Sequence, residues 1–170
     1  MTAVTDQLRG EGTARLLAPD TYRAAMRHHA KGVAVITAHP GRPVGFCATS
    51  VTSLSADPPL VSFAVGLRSS SWAAMHNSPH FLVQLLADGQ EDLARGFARP
   101  GGDKFAPPVA WRPGPFGLPL LDGVLAWLVL GPLTTQPVAD HVLVIGQVVD
   151  AGHTGGTPLV HHDGRYHRLS

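Results

Sequence analysis

The residues best suited to chemistry in this 170-residue chain form three groups, and none presents an activated side-chain nucleophile. The first is the run Gly45-Phe46-Cys47-Ala48-Thr49-Ser50-Val51-Thr52-Ser53-Leu54-Ser55, followed by Ala56-Asp57-Pro58-Pro59-Leu60. Five of its first eleven residues carry hydroxyls. Small hydroxyl donors and exposed backbone at a strand end can hydrogen-bond the edge of a flat heteroaromatic ring. A flavin, with alternating acceptors and donors at N5, O4, N3 and O2, asks for such a row. An edge strand whose Ser and Thr face water has the same composition, so both readings stand.

The second group is Gly66-Leu67-Arg68-Ser69-Ser70-Ser71-Trp72. A cation and three hydroxyls before a helix make an anion site, because free N–H groups and the positive helix end favour a phosphate. Ordinary capping would need only one of those serines. Lys104, in Asp103-Lys104-Phe105, is a candidate second cation. The third group is Asp140-His141, at the head of the apolar run Val142-Leu143-Val144-Ile145. There His141 could orient a nicotinamide carboxamide, with Asp140 setting the imidazole. A structural Asp–His pair fits the same two residues. His141, Asp140 and Ser69 to Ser71 could also be arranged as a hydrolase triad, but no Gly-x-Ser-x-Gly elbow supports it. His161-His162 and His167 match no closed zinc pattern, and no metal site is expected.

These groups must be positioned by short elements. Pro19 to Ala30 reads as a helix with Tyr22, Ala25, Met26 and His29 on one face, ended by Gly32. Val33–Ala38 and Val44–Ser53 read as a hairpin about the turn formers His39 to Pro43. Pro58 and Pro59 break the pattern, and Leu60–Leu67 is the next strand. A helix start follows at Ser69 to Met75, then a strand over Phe81–Leu86 and an amphipathic helix over Gln90–Phe97. Gly101–Pro119 reads as loop, Val124–Leu130 and His141–Val149 as strands, and Pro158–Leu169 as a short closing segment. Most connections are too short for βαβ crossovers. The expected fold is mainly β: an antiparallel barrel, closed or nearly so, with peripheral helices.

Composition bounds the class. One domain over residues 19–170 is expected, after a flexible tail over 1–18. Thirteen basic residues against twelve acidic ones, with no aromatic-interleaved basic stripe, argue against nucleic acid. No apolar run approaches the ~18 residues of a membrane span, and no signal peptide is evident. The single cysteine, Cys47, allows no internal disulfide and suits a cytoplasmic location.

The ordered set of motifs resembles the flavin reductase-like family, which has the FMN-binding split barrel fold. The set comprises Gly32 to Thr37, Gly45 to Leu60, Arg68 to Trp72, Asp103 to Phe105, Trp111 to Gly114, Pro119 to Gly123, Asp140-His141 and Pro158 to Tyr166. The family includes short-chain reductase components of two-component flavin monooxygenases. The resemblance implies a split β-barrel homodimer that moves hydride from NADH or NADPH to FMN or FAD and passes reduced flavin to a partner monooxygenase. By position it implies that Val44, Gly45, Phe46, Cys47, Thr49 and Ser50 contact the ring and ribityl chain. It puts Val65 and Gly66 beside the flavin and Ser70 and Ser71 at the phosphate; Arg68, Lys104 and Phe105 complete the expected cofactor site. Ala139 replaces the glycine of the family's Gly-Asp-His, and Cys47 replaces a frequent threonine. A flavin carrier or sensor without turnover, and a specialised biosynthetic enzyme on the same barrel, remain alternatives.

Overall fold

The structure, a computed structural model, describes residues 17–169; all but the last two residues of the expected N-terminal tail lie outside them. The elements, in chain order, begin with helix α1 (Pro19–Arg27) and strands β1 (Lys31–Gly32), β2 (Ala34–Ala38), β3 (Val44–Ala48), β4 (Thr52–Ala56) and β5 (Pro59–Gly66). Helix α2 (Ser70–Met75), strand β6 (Phe81–Leu85) and helix α3 (Glu91–Ala98) come next. Strands β7 (Trp111–Pro113), β8 (Pro119–Leu121), β9 (Ala126–Val138), β10 (His141–His153), β11 (Leu159–His162) and β12 (Arg165–Arg168) complete them.

Seven strands form one antiparallel sheet in the order β3-β2-β6-β9-β10-β5-β4. Its two edges, β3 and β4, are consecutive in the chain and separated only by residues 49–51. In a flat sheet of seven strands the edges would lie roughly 29 Å apart. Four Cα steps reach at most about 15 Å. The sheet therefore has to curl, and it does so into a barrel left open along the β3/β5 side. This is the expected antiparallel split barrel.

Every residue of β2 is buried because both its faces are covered. Ala34, Ile36 and Ala38 join the barrel interior with Phe46, Phe63 and Phe81, while Val33 and Val35 join a second core outside it. Inside, Phe63 meets Phe81 edge to face at 6.0 Å, and α2 adds Trp72 and Met75. Outside, Ala94 and Phe97 of α3 and Leu120 and Leu121 of β8 cover the sheet. A fully buried polar lock ties β8 on. Gln84 Nε2 donates to Thr37 Oγ1 and to Pro119 O, both at 3.1 Å, and Gln84 Oε1 accepts from Leu121 N–H at 2.7 Å. Thr37 Oγ1 donates to the same Pro119 carbonyl at 2.8 Å.

Several sequence expectations shift. The run 44–53 divides into β3 and β4, since the chain changes sheet edge at Thr49 to Val51. Pro58 sits in a tight turn, while Pro59 begins β5, a position where a missing N–H is tolerated. Strand β9 runs eight residues past the expected end at Leu130, despite Pro132 and Pro137. Its pairing with β6 stops at Leu130, opposite Phe81, so those prolines lie along an unpaired side, and Leu133 bulges beside them. Helix α1 ends at Arg27, well before Gly32, which instead pairs with Val160; none of its side chains is buried. The closing segment is a hairpin, β11–β12, turned by Asp163 and Gly164, both at positive φ.

Replacing Gln84 with Leu puts a slightly larger apolar side chain in its place and orphans the Leu121 N–H inside the core. We expect a loss of roughly 2–4 kcal/mol, read as a lower urea midpoint at unchanged slope.

Candidate functional site

The open side of the barrel is a cleft of ≈ 750 Å³ between β3 and β5, roofed by the C-terminal end of α3. Strand β3 is a sheet edge, so half of its backbone groups are left outside the ladder. Ser50 substitutes for a ladder pair across the opening: its Oγ donates to Ala64 O and accepts from Ala64 N–H, both at 3.0 Å. The Ser50 hydroxyl thus fixes the width of the cleft.

Phe46, Cys47, Thr49, Ser50, Val65, Gly66, Arg68 and His141 line this cleft, together with Ser70, Ser71 and Lys104. Phe46 and Val65 send their side chains into the barrel core, so they offer the cleft chiefly backbone. Val44, Gly45 and Phe105 line an adjoining compartment of ≈ 460 Å³, which shares Ser70, Ser71, Gly101 and Lys104 with the main cleft. Gly45 is required by packing: a Cβ there would stand 2.9 Å from Ile36 O and 3.0 Å from the Phe97 ring. All thirteen residues expected at a cofactor site therefore converge on one continuous surface. Asp140 does not line it but stands behind His141.

The three serines divide their work. Ser69 Oγ caps α2 by accepting from Trp72 N–H at 3.3 Å. The buried Ser71 hydroxyl donates to Gly45 O at 2.7 Å, locking α2 to β3. Ser70, first residue of the helix, lines both compartments. With only six residues, α2 has a modest dipole. The positive field comes mainly from Arg68, Arg99 and Lys104, and among the described residues no carboxylate lines the main cleft. Lys104 is half-buried and its Nζ donates to Phe97 O, at the end of α3, at 2.8 Å. Burial lowers the pKa of its ammonium, against an opposing effect of the neighbouring Cys47. Burial likewise pushes the Cys47 thiol up to about 11, with Lys104 pulling the other way.

His141 opens β10 on the cleft rim, and its Nδ1 lies 2.8 Å from Asp140 Oδ1. The hydrogen bond and charge of His141 hold the Asp140 carboxyl below its usual range, and Arg68 adds a smaller pull. With Nδ1 engaged, Nε2 is the nitrogen left for a ligand. The pair is set by the two-residue turn Ala139-Asp140 between β9 and β10, in which Val138 faces His141. Ala139 has φ 52°, the left-handed region that the family's glycine would occupy without strain.

The sequence reading missed the roof, Phe97 to Gly101, and the outer residues Arg42, Pro43, Ala74 and Trp111. The signal was present in Pro100-Gly101-Gly102, a helix terminator placed directly before Asp103-Lys104-Phe105, with both glycines at positive φ. Of the three histidines weighed as a metal site, the rings of His162 and His167 lie 5.9 Å apart. Among the described residues no group of three potential ligands is assembled for a metal ion. No helix among them is long and apolar enough to cross a membrane.

Comparison with known proteins gives this geometry a family. The model of the flavin reductase like domain matches residues 26–170. An NADH:FMN oxidoreductase of Rhodococcus erythropolis is 40% identical over 153 residues, spanning 86% of this chain and 80% of the relative. The flavin-dependent monooxygenase reductase subunit HsaB of Mycobacterium tuberculosis is 34% identical, over 87% of this chain and 81% of its own. The NADH:FAD oxidoreductase SgcE6 of Streptomyces globisporus, solved with NAD and FAD fragments, superposes with a TM-score of 0.85. It is 31% identical, with 92% of this chain and 98% of that one covered. The chain belongs to the flavin reductase-like family.

Two outcomes follow from the local geometry. Ala139→Gly should raise stability by about 1 kcal/mol, seen as a higher thermal midpoint, because relief of the left-handed strain exceeds glycine's entropic cost. Cys47, with its raised pKa, should alkylate at pH 8 about tenfold more slowly than an exposed thiol. Its rate should climb with pH until about 11.

Proposed function

We propose that the protein is an NAD(P)H-dependent flavin reductase that takes FMN or FAD into the open side of the barrel and supplies reduced flavin to a separate monooxygenase. The observation that carries this is the cleft itself. An edge strand with unpaired backbone lies along it, serines and cations gather within it, and an aspartate-braced histidine stands on its rim. The residues fit the group: the cleft volume is in the range of small-ligand sites, and its charges suit a phosphate. A bound flavin supplies the redox chemistry by accepting hydride from nicotinamide.

The chain's own part is binding and placement. Backbone groups of Phe46 to Ser50 orient the ring edge and stabilise negative charge that develops there. Arg68, Ser70, the backbone N–H of Ser71 and Lys104 hold the phosphate. Asp140 fixes the His141 imidazole, and Nε2 of His141 orients the nicotinamide amide. Side chains of the barrel core keep bulk water from the inner wall. No side chain needs to exchange a proton or form a bond, because juxtaposing two rings gives most of the acceleration; favourable cases reach about 7–11 kcal/mol. A cytoplasmic homodimer accords with the lone thiol and with the exposed Tyr22 and Met26 of α1.

Anaerobic rapid mixing of NADH or NADPH with the protein and FMN or FAD tests the reading. Bleaching of the flavin at catalytic rates is expected, and a bound yellow flavin that neither nicotinamide reduces would leave a carrier instead. His141→Ala should lower kcat/KM for the nicotinamide about tenfold while flavin affinity holds. Unchanged nicotinamide kinetics would remove the role of His141. Light scattering of the same preparation should give twice the chain mass.

A further inference from the structure

The serine anchor and the rim histidine are built on one turn of the chain. Gly66, the last residue of β5, pairs with His141, the first of β10. The chain then reverses, with Ser69 N–H donating to Gly66 O at 3.0 Å, and enters α2 at Ser70. Inside that turn the Leu67 N–H donates to Asp140 O at 2.9 Å. Arg68 therefore stands between a residue bonded to Asp140 and the cap of α2. It lines the cleft that also holds Ser70 and His141.

Arg68 is exposed, and among the described residues it joins no close ion pair. The Asp140 carboxyl is held below its usual range first by His141 and, more weakly, by Arg68. In the empty cleft two donors thus draw on one carboxylate. Across the two ladders His141 faces Gly66 and Val138, and neither side chain can take over from Asp140.

Resting on the flavin reading above, we propose that Arg68 is a positioning residue that couples the two ends of the cleft. A flavin phosphate draws its guanidinium off Asp140, which is then left to brace His141 alone for the nicotinamide. The competition favours the phosphate. It carries about −1.5 to −2 charge near pH 7 against the carboxylate's single charge, and its oxygens suit a guanidinium fork. The donor accordingly binds more tightly once flavin is in place, and by linkage flavin gains as much from the donor. A flavin without a phosphate confers no such gain.

Anaerobic rapid mixing with NADH tests this, with FMN and riboflavin as saturating acceptors that share a ring and differ in the phosphate. The reduction rate plotted against NADH concentration gives the donor's dissociation constant and the limiting rate separately. In wild type the constant should be about fivefold lower with FMN than with riboflavin, at similar limiting rates. Arg68→Gln, at an exposed position, should show the wild-type FMN constant with either flavin. Lys104→Met should weaken FMN yet keep the contrast once FMN is saturating. Equal constants in wild type overturn the coupling. A contrast that survives in Arg68→Gln, or is lost in Lys104→Met, does the same, because the phosphate then acts without Arg68. A fivefold rise in the Arg68→Gln constant with FMN would make Arg68 a direct ligand of the donor and overturns it too. Should NADH reduce neither flavin in wild type, the parent reading of the cleft falls, and the coupling with it.

Discussion

The hydrogen bonds of Gln84 hold the architecture of the cleft, although none of them touches it. Inside the outer core, its amide engages Thr37, the Pro119 carbonyl and the Leu121 N–H, and each group is otherwise cut off from water. Burying unpaired amides costs more than pairing them gains, so the lock is all or nothing. It fastens β8 to the barrel, β8 holds β7 through Trp111 and Leu121, and the segment between α3 and β7 carries Gly101, Lys104 and Phe105. One wall of the cleft therefore hangs from a polar contact in the protein interior.

The opposite walls follow from the way the sheet fails to close. A chain that steps from one edge of a seven-stranded sheet to the other in three residues forces curvature, yet β3 and β5 never form a ladder. Two hydrogen bonds from one hydroxyl, that of Ser50, stand in for the missing pairs. The result is a groove with backbone polar groups along one side and small residues beneath it, a surface that can recognise a ring edge without large side chains.

The parts legible in the sequence were those with local causes. Apolar runs marked β2, β5 and β6, serine caps marked α2, and motif order marked the family and the residues that line the cleft and its adjoining compartment. The hydroxyl-rich run mixed two meanings that only the tertiary fold separates. Ser50 spans the opening, whereas Thr52 and Ser53 lie exposed on β4 and face water, as side chains of an ordinary edge strand do. The full length of β9 was hidden because Pro132 and Pro137 argue against a central strand, and the neighbour's early end cannot be read locally. The β11–β12 hairpin had a strong local signal in Asp163-Gly164 that the closing-segment reading passed over. The roof of the cleft, the Gln84 lock and the adjoining compartment depend on contacts between residues far apart in the chain.

The hydrogen bond from Lys104 to the Phe97 carbonyl bears on how the proposed phosphate anchor would release its anion. An ammonium carries three donors, and this one uses a single N–H to finish α3. An arriving anion meets a cation already aimed and still able to donate twice. On the proposed reading, a departing anion leaves the ammonium its carbonyl partner, so one of its three donors stays satisfied. A donor set divided in this way between fold and ligand suits the repeated loading and release that the proposed function asks of the cleft.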